Sequence, residues 1–161
     1  MTEGRYLTAA ICSNGHVATD AVEFHDSPGK FCQHCGTAII MACPHCRAAI
    51  RGDYHVPGVL ALSHYSAPAF CHNCGKPFPW TAEKLDAAKD LADELEDMSA
   101  DDRAKLKTAI EDIAKSGARA EAGAARIKRM VGKARTAVGQ ALWKISIDVA
   151  SEAAKKILTG S

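Results

Sequence analysis

The sequence predicts a small, metal-held, β-rich module at the N-terminus, followed by an all-α region made of a helical hairpin and a long helix. Two observations predict this division. All seven cysteines lie from Cys12 to Cys74, six of them in three CxxC pairs and Cys12 beside His16, and helical periodicity begins just after Pro77 and Pro79 and runs nearly to the end of the 161 residues. Domain boundaries are expected at 1–80 for the metal module, 81–117 for an acidic helical hairpin and 118–161 for a basic, Ala-rich long helix.

The candidate metal ligands form four pairs: Cys12 with His16 (CSNGH), Cys32 with Cys35 (CQHC), Cys43 with Cys46 (CPHC) and Cys71 with Cys74 (CHNC). Zinc takes four soft or borderline ligands in a tetrahedron, and two residues a few positions apart on a tight turn can reach one ion together. Each pair is therefore half a site. With seven cysteines, two closed sites need a histidine, and His16 fits because the Asn14-Gly15 turn folds both side chains inward. His34, His45 and His72 stand inside CxxC loops and are expected to face solvent. The expected cofactor is two structural Zn²⁺ per chain.

Sequence repetition bears on how the half-sites join. Phe31–Gly36 and Phe70–Gly75 share the pattern FCxxCG, which marks each as the closing knuckle of its own ribbon. The serial order then groups Cys12, His16, Cys32 and Cys35, and separately Cys43, Cys46, Cys71 and Cys74. The rival is a cross-braced order, first pair with third and second with fourth. CPHCRAAI does resemble the end of a RING finger, but the stretch from Gly36 to Ala42 is longer than a RING usually allows, so the serial order is favoured.

Tyr6–Cys12 and Val17–Phe24 are expected to form a short hairpin, Asp26-Ser27-Pro28-Gly29 a turn, and Thr37–Met41 the clearest strand, joining the ribbons. Ile50–Val59, broken at Pro57-Gly58, is expected to be the second ribbon's hairpin. Small ribbons bury little, so metal supplies much of their folding free energy. The aromatic residues Tyr6, Phe24, Phe31, Tyr54, Tyr65, Phe70, Phe78 and Trp80 are expected mainly to cover the sheets and sulfurs. A surface for stacking bases would need several of them exposed beside Lys or Arg.

Thr81 is expected to N-cap a helix over 82–97, with Leu85, Ala88, Leu91, Ala92, Leu95 and Met98 on its apolar side. Ser99 caps the next helix, whose apolar side is Leu106, Ile110 and Ile113, and Gly117 ends it. Beyond Ala118 the stripe Ile127, Val131, Ala134, Val138, Leu142, Ile145, Val149, Ala153 and Ile157 predicts a long helix, straight or bent at a glycine. A straight rod of that length would be ~60 Å long.

The formal net charge of +1 hides a segregation: residues 1–80 are neutral, 81–117 carry −5 and 118–161 carry +6. The expected partner is a protein, first of all another copy docking through the C-terminal helix. An anionic membrane surface reached by Lys128, Arg129, Lys133, Arg135 and Lys144 comes second, and nucleic acid third. Paired thiols without an apolar leader or a membrane-spanning run point to a reducing cytoplasm. No nucleophile setting stands out and the ligands fill both sites, so no catalytic residue is assigned and no enzyme activity is expected. The function expected is a zinc-binding adaptor or interaction module, with a RING-like platform assisting an enzyme as the alternative.

Together, ICSNGHVATD, FCQHCG, ACPHCRAAIRGDYHVPGV, FCHNCGKPFPWT and the closing SEAAKKIL resemble a bacterial family of uncharacterised double-zinc-ribbon proteins over nearly the whole chain. The resemblance implies a zinc-ribbon fold and a bacterial source, and it implies no activity. The CxxGH and FCxxCG elements of the first ribbon are also similar to zinc ribbons in general, which supports His16 as a ligand.

Overall fold

In the computed structural model, which describes residues 3–25, 28–59, 64–133 and 135–160, the chain forms two compact units, Met1–Thr81 and Ala82–Ser161. The N-terminal unit is β-rich and the C-terminal unit all-α.

Five short strands build the first unit: β1 Arg5–Thr8, β2 Ala10–Cys12, β3 Val17–Thr19, β4 Ile39–Ile40 and β5 Arg51–His55. They form a three-stranded antiparallel sheet in the order β3-β2-β4 and a two-stranded ribbon β1-β5. The hairpin expected from 6–12 and 17–24 is present as β2 against β3, with its second arm shortened to Val17–Thr19 and followed by a 3₁₀ turn, Val22–Phe24. Of the Asp26-Ser27-Pro28-Gly29 turn, Asp26 and Ser27 lie outside the described residues.

The stretch expected to form the second ribbon's own hairpin pairs elsewhere. β5 lies against β1, with Tyr6 opposite Tyr54, and the Ala9 amide donates to the Ile50 carbonyl at 2.9 Å. This exchange merges the two ribbons around one core of Ala9, Ile11, Ile50, Phe78, Trp80 and the sulfurs of Cys43 and Cys71. A free hairpin at 50–59 would have buried Ile50 against nothing but its own turn. Phe78 and Trp80 stack with centroids 4.7 Å apart, and the Trp80 indole donates to the Pro68 carbonyl at 2.9 Å.

The all-α region comprises α1 Pro79–Asp93, α2 Ala100–Ile113, α3 Ala118–Val131, α4 Ala137–Val149 and α5 Glu152–Thr159. α1 starts two residues before the expected cap at Thr81, because proline fits the first helical position, where its missing N–H is not needed. Ser99 caps α2 as expected, its hydroxyl accepting the Asp102 amide at 3.1 Å. Gly117, expected to end that helix, instead precedes α3 with φ 106°.

The long helix expected over 118–161 is three helices. The first break follows Gly132, after which Thr136 caps α4 by accepting the Gly139 amide at 3.1 Å. The second falls at Ala150-Ser151, where the Ser151 amide donates to the Ile113 carbonyl at the end of α2, at 2.8 Å. The physical reason is burial: folded back, Ile127, Val131, Leu142, Val149 and Leu158 are covered within the unit, whereas a rod would leave part of its stripe in water. Val138, Ile145 and Ile157 of the stripe are half-buried, Ala153 is exposed, and Ala134 lies outside the described residues. α2 and α3 meet closely at Gly123, where a Cβ would stand 2.9 Å from the Ala109 carbonyl oxygen.

Candidate metal centres

Three of the four ligand pairs share one backbone design. In each, the first cysteine's amide donates to the residue five positions on (Cys32 to Thr37, Cys43 to Ala48, Cys71 to Lys76), and the residue four positions on donates back to that cysteine's carbonyl. Bridges Phe31–Ala38, Ala42–Ala49 and Phe70–Pro77 close the three knuckles. The returning residue must take a positive φ, and it is Gly36 (71°), Gly75 (70°) or, in the third knuckle, Arg47 (61°). Arg47 is the one non-glycine residue with positive φ among those described. The Cys12 pair is wound differently: Gly15, at φ 86°, donates to the Cys12 carbonyl, and Cys12 donates to the His16 carbonyl at 3.0 Å. The tight Asn14-Gly15 turn thereby brings His16 back beside Cys12.

These knuckles gather the candidate residues into two clusters, Cys12-His16-Cys32-Cys35 and Cys43-Cys46-Cys71-Cys74, each offering four ligand atoms within 4.8 Å of one another. The grouping is serial, and no pair is shared across the clusters as a cross-brace would require. Cys12, Cys32, Cys43 and Cys71 are buried, while Cys35 and Cys74 reach towards solvent.

The dimensions fit a tetrahedral ion. Metal–sulfur bonds of ~2.3 Å imply sulfur–sulfur edges of ~3.8 Å, and a nitrogen vertex shortens its edges to ~3.5 Å. The Sγ atoms of Cys12 and Cys35 are 3.7 Å apart, those of Cys43 and Cys74 3.8 Å, and those of Cys46 and Cys71 3.6 Å. His16 presents Nδ1 at 3.5 Å from Cys12 Sγ and 3.7 Å from Cys32 Sγ. Disulfides, at ~2.0 Å, are excluded by the same separations. Both donor sets therefore fit a metal ion.

Two neighbours that the sequence reading passed over favour the thiolate form. The Thr37 hydroxyl, 3.2 Å from Cys35 Sγ, with the Thr37 amide, holds the Cys35 thiol down at about 5. The Asn73 side chain and then the Ala48 amide bring Cys46 down to about 6. Thr37 was visible as a hydroxyl two residues past its cysteine; Asn73 acts across the cluster, and no local pattern announces it. His34, His45 and His72 stay outside both clusters and are exposed.

A family model described as an uncharacterised protein conserved in bacteria, DUF2321, matches residues 5–158 and so takes in both clusters and the helices as far as the penultimate residue of α5. The chain belongs to this family. The cysteine clusters of this DUF2321 member fit a zinc-ribbon-like arrangement. No curated protein and no solved structure matches the chain. Among the described residues of this DUF2321 chain, no helix is long and apolar enough to cross a membrane.

Proposed function

We propose that each cluster holds a structural zinc ion and that the module they brace is the docking surface of a protein-interaction adaptor. Four ligands around each ion, three thiolates with His16 in one cluster and four thiolates in the other, leave no open coordination position, the state of a structural rather than a catalytic zinc. The observation that carries the adaptor reading is the solvent face of the β1-β5 ribbon. Tyr6 and Tyr54 are 52% and 48% exposed, pack edge to face with centroids 5.0 Å apart, and carry the Arg51 guanidinium 4.6 Å from the Tyr6 centroid. Phe24, 57% exposed, packs against His55. Tyrosine and arginine held in place by one another are the composition of interface hot spots, because little side-chain entropy is left to lose on docking.

This reading moves the partner contact away from the C-terminal helix. The apolar stripe that suggests self-association there has its large described residues wholly or half buried in their own unit. The test combines elemental analysis with co-purification from the native host. Two zinc ions per chain are expected, together with a partner protein that wild type retains and Tyr6→Ala/Tyr54→Ala loses at unchanged zinc content. One ion or none overturns the zinc reading, and a partner retained by the double variant overturns the surface.

A further inference from the structure

We propose that the solvent face of α3 is a docking ridge for the phosphate backbone of a nucleic acid duplex. Arg119 and Arg126, with Lys133 in the turn that follows, recur every seventh residue along one flank of the buried stripe Ala120, Gly123, Ala124, Ile127 and Val131, and Arg129 stands beside them on the solvent side, all four within an arc of about 80°. Arg119, Arg129 and Lys133 are exposed and Arg126 is half-exposed. Between Glu121 and Asp148 the chain has six Lys or Arg and no acidic residue.

A run of surface charge is ordinarily just a solvated helix face, often with its charges paired to neighbours, as at three lysines of the same unit. Lys89, Lys105 and Lys107 of α1 and α2 each pair with a carboxylate, Glu111, Asp101 and Asp93 respectively. The ridge cations form no ion pair among the described residues. On the α2 side, Lys105 lies near enough to Arg126 for their charges to act on each other, and Asp112 lies beside Gly123.

The chemistry of the row selects the anion. From residue 119 to 133 it spans ~21 Å at 1.5 Å per residue, and duplex DNA offers one negative charge per ~1.7 Å of axis, so a rigid row meets several phosphates together. A bilayer would ask for exposed large apolar side chains beside the cations, and none of the described residues in 82–160 supplies one. Single strands would ask for aromatic platforms on the ridge, and the row has none.

The experiment is a fluorescence-anisotropy titration of the full zinc-loaded chain with a labelled mixed-sequence DNA duplex over a range of salt, beside sedimentation with phosphatidylglycerol vesicles. If the four ridge cations each neutralise one phosphate, log K should fall against log salt with a slope of about −3.6. Arg126→Gln/Arg129→Gln should flatten that slope by about 2, while Arg126→Lys/Arg129→Lys keeps it, with helical circular dichroism and zinc content unchanged in both. Failure to bind duplex at low salt, a slope that the glutamine variant leaves intact, or capture by the vesicles alone would each overturn the proposal.

Discussion

The two units solve the same problem with opposite means. In the helical unit the core is aliphatic and shared among helices, with Leu106, Ile110, Ile113, Ile127, Leu142 and Leu158 at 2% exposure or less. In the N-terminal unit the strands are two to five residues long, and cysteine sulfur is part of the core. The exposed large hydrophobic residues divide the same way: Tyr6, Val17, Phe24, Phe31, Met41, Tyr54 and Val59 all belong to the N-terminal unit. A module braced by the metal we propose does not need every apolar side chain inside, which leaves its aromatic residues available at the surface. A helical bundle without such braces must bury what it has.

The largest test of this contrast is removal of the metal. Structural zinc is worth ~10–16 kcal/mol in small finger peptides, as much as a whole domain's usual stability of ~5–15 kcal/mol, so chelation should unfold 1–81 and leave most of the helical circular dichroism. The two tryptophans separate the readouts. Trp80 is buried in the N-terminal core and Trp143 lies on α4. In Trp143→Phe the emission should shift to the red on chelation, and in Trp80→Phe it should hardly change. Collapse of the helical signal with the metal would show that the units stand or fall together.

The mirror experiment attacks the aliphatic core. Ile110 on α2 is fully buried, and truncating a buried Ile typically costs ~2–5 kcal/mol through lost transfer energy and the cavity left behind. Ile110→Ala should lower the thermal midpoint of the helical signal while both metal ions stay bound. Loss of metal in this variant would break the comparison from the other side.

What the sequence disclosed follows the range of each interaction. The eight candidate ligands were legible because a half-site is a local object, two donors on one turn, and the repeated FCxxCG supported the order in which Cys12–Cys35 and Cys43–Cys74 come together. The pairing of β5 with β1 was not, since register between residues some forty-five positions apart leaves no local mark, and Tyr6 opposite Tyr54 looks like two unrelated aromatics in the sequence. The breaks in the long helix lie between. Thr136 and Ser151 are ordinary cap residues, but each interrupts an apolar stripe that reads on without them, and only the gain from folding α4 and α5 back decides that the interruption is used.

A smaller effect probes how closely the metal module depends on its knuckles. Arg47 occupies the left-handed position that Gly36 and Gly75 fill in the sister knuckles, at a steric cost of ~1–2 kcal/mol. Arg47→Gly relieves that cost but loosens the unfolded chain by ~0.4–1 kcal/mol. The net expectation is a rise of ~1 kcal/mol in the stability of the N-terminal unit alone, seen as slower metal transfer to a competing chelator. Faster transfer would show that the Arg47 side chain, not its backbone, matters to the knuckle.

The smallest expected effect separates the units by their response to acid. Glu111 accepts from Lys89 at 2.8 Å, and that hydrogen bond, partly opposed by desolvation, holds its carboxyl below the usual glutamate value. A carboxyl depressed in the folded state contributes stability that is fully present above its unfolded pKa of about 4.3 and is lost as pH falls through the lower folded value. Lys89 is raised by the same hydrogen bond, so its share is fully present below the ordinary lysine range and lost only as pH rises through its folded value, far from this window. Glu111 is exposed and Lys89 partly so, and solvent screening limits such a pair to a few tenths of a kcal/mol. Glu111→Gln should therefore lower the helical thermal midpoint slightly at neutral pH, with the difference from wild type closing below about pH 4. With zinc bound as proposed, the N-terminal unit should fail at higher pH than this, because protons would compete with the ion for the cysteine sulfurs before they reach a salt-bridged carboxylate. Trp80 emission followed against helical circular dichroism through one acid titration should give two separate transitions, with only the more acidic one altered in Glu111→Gln. A single shared transition would mean that the metal module and the helices do not differ in what holds them.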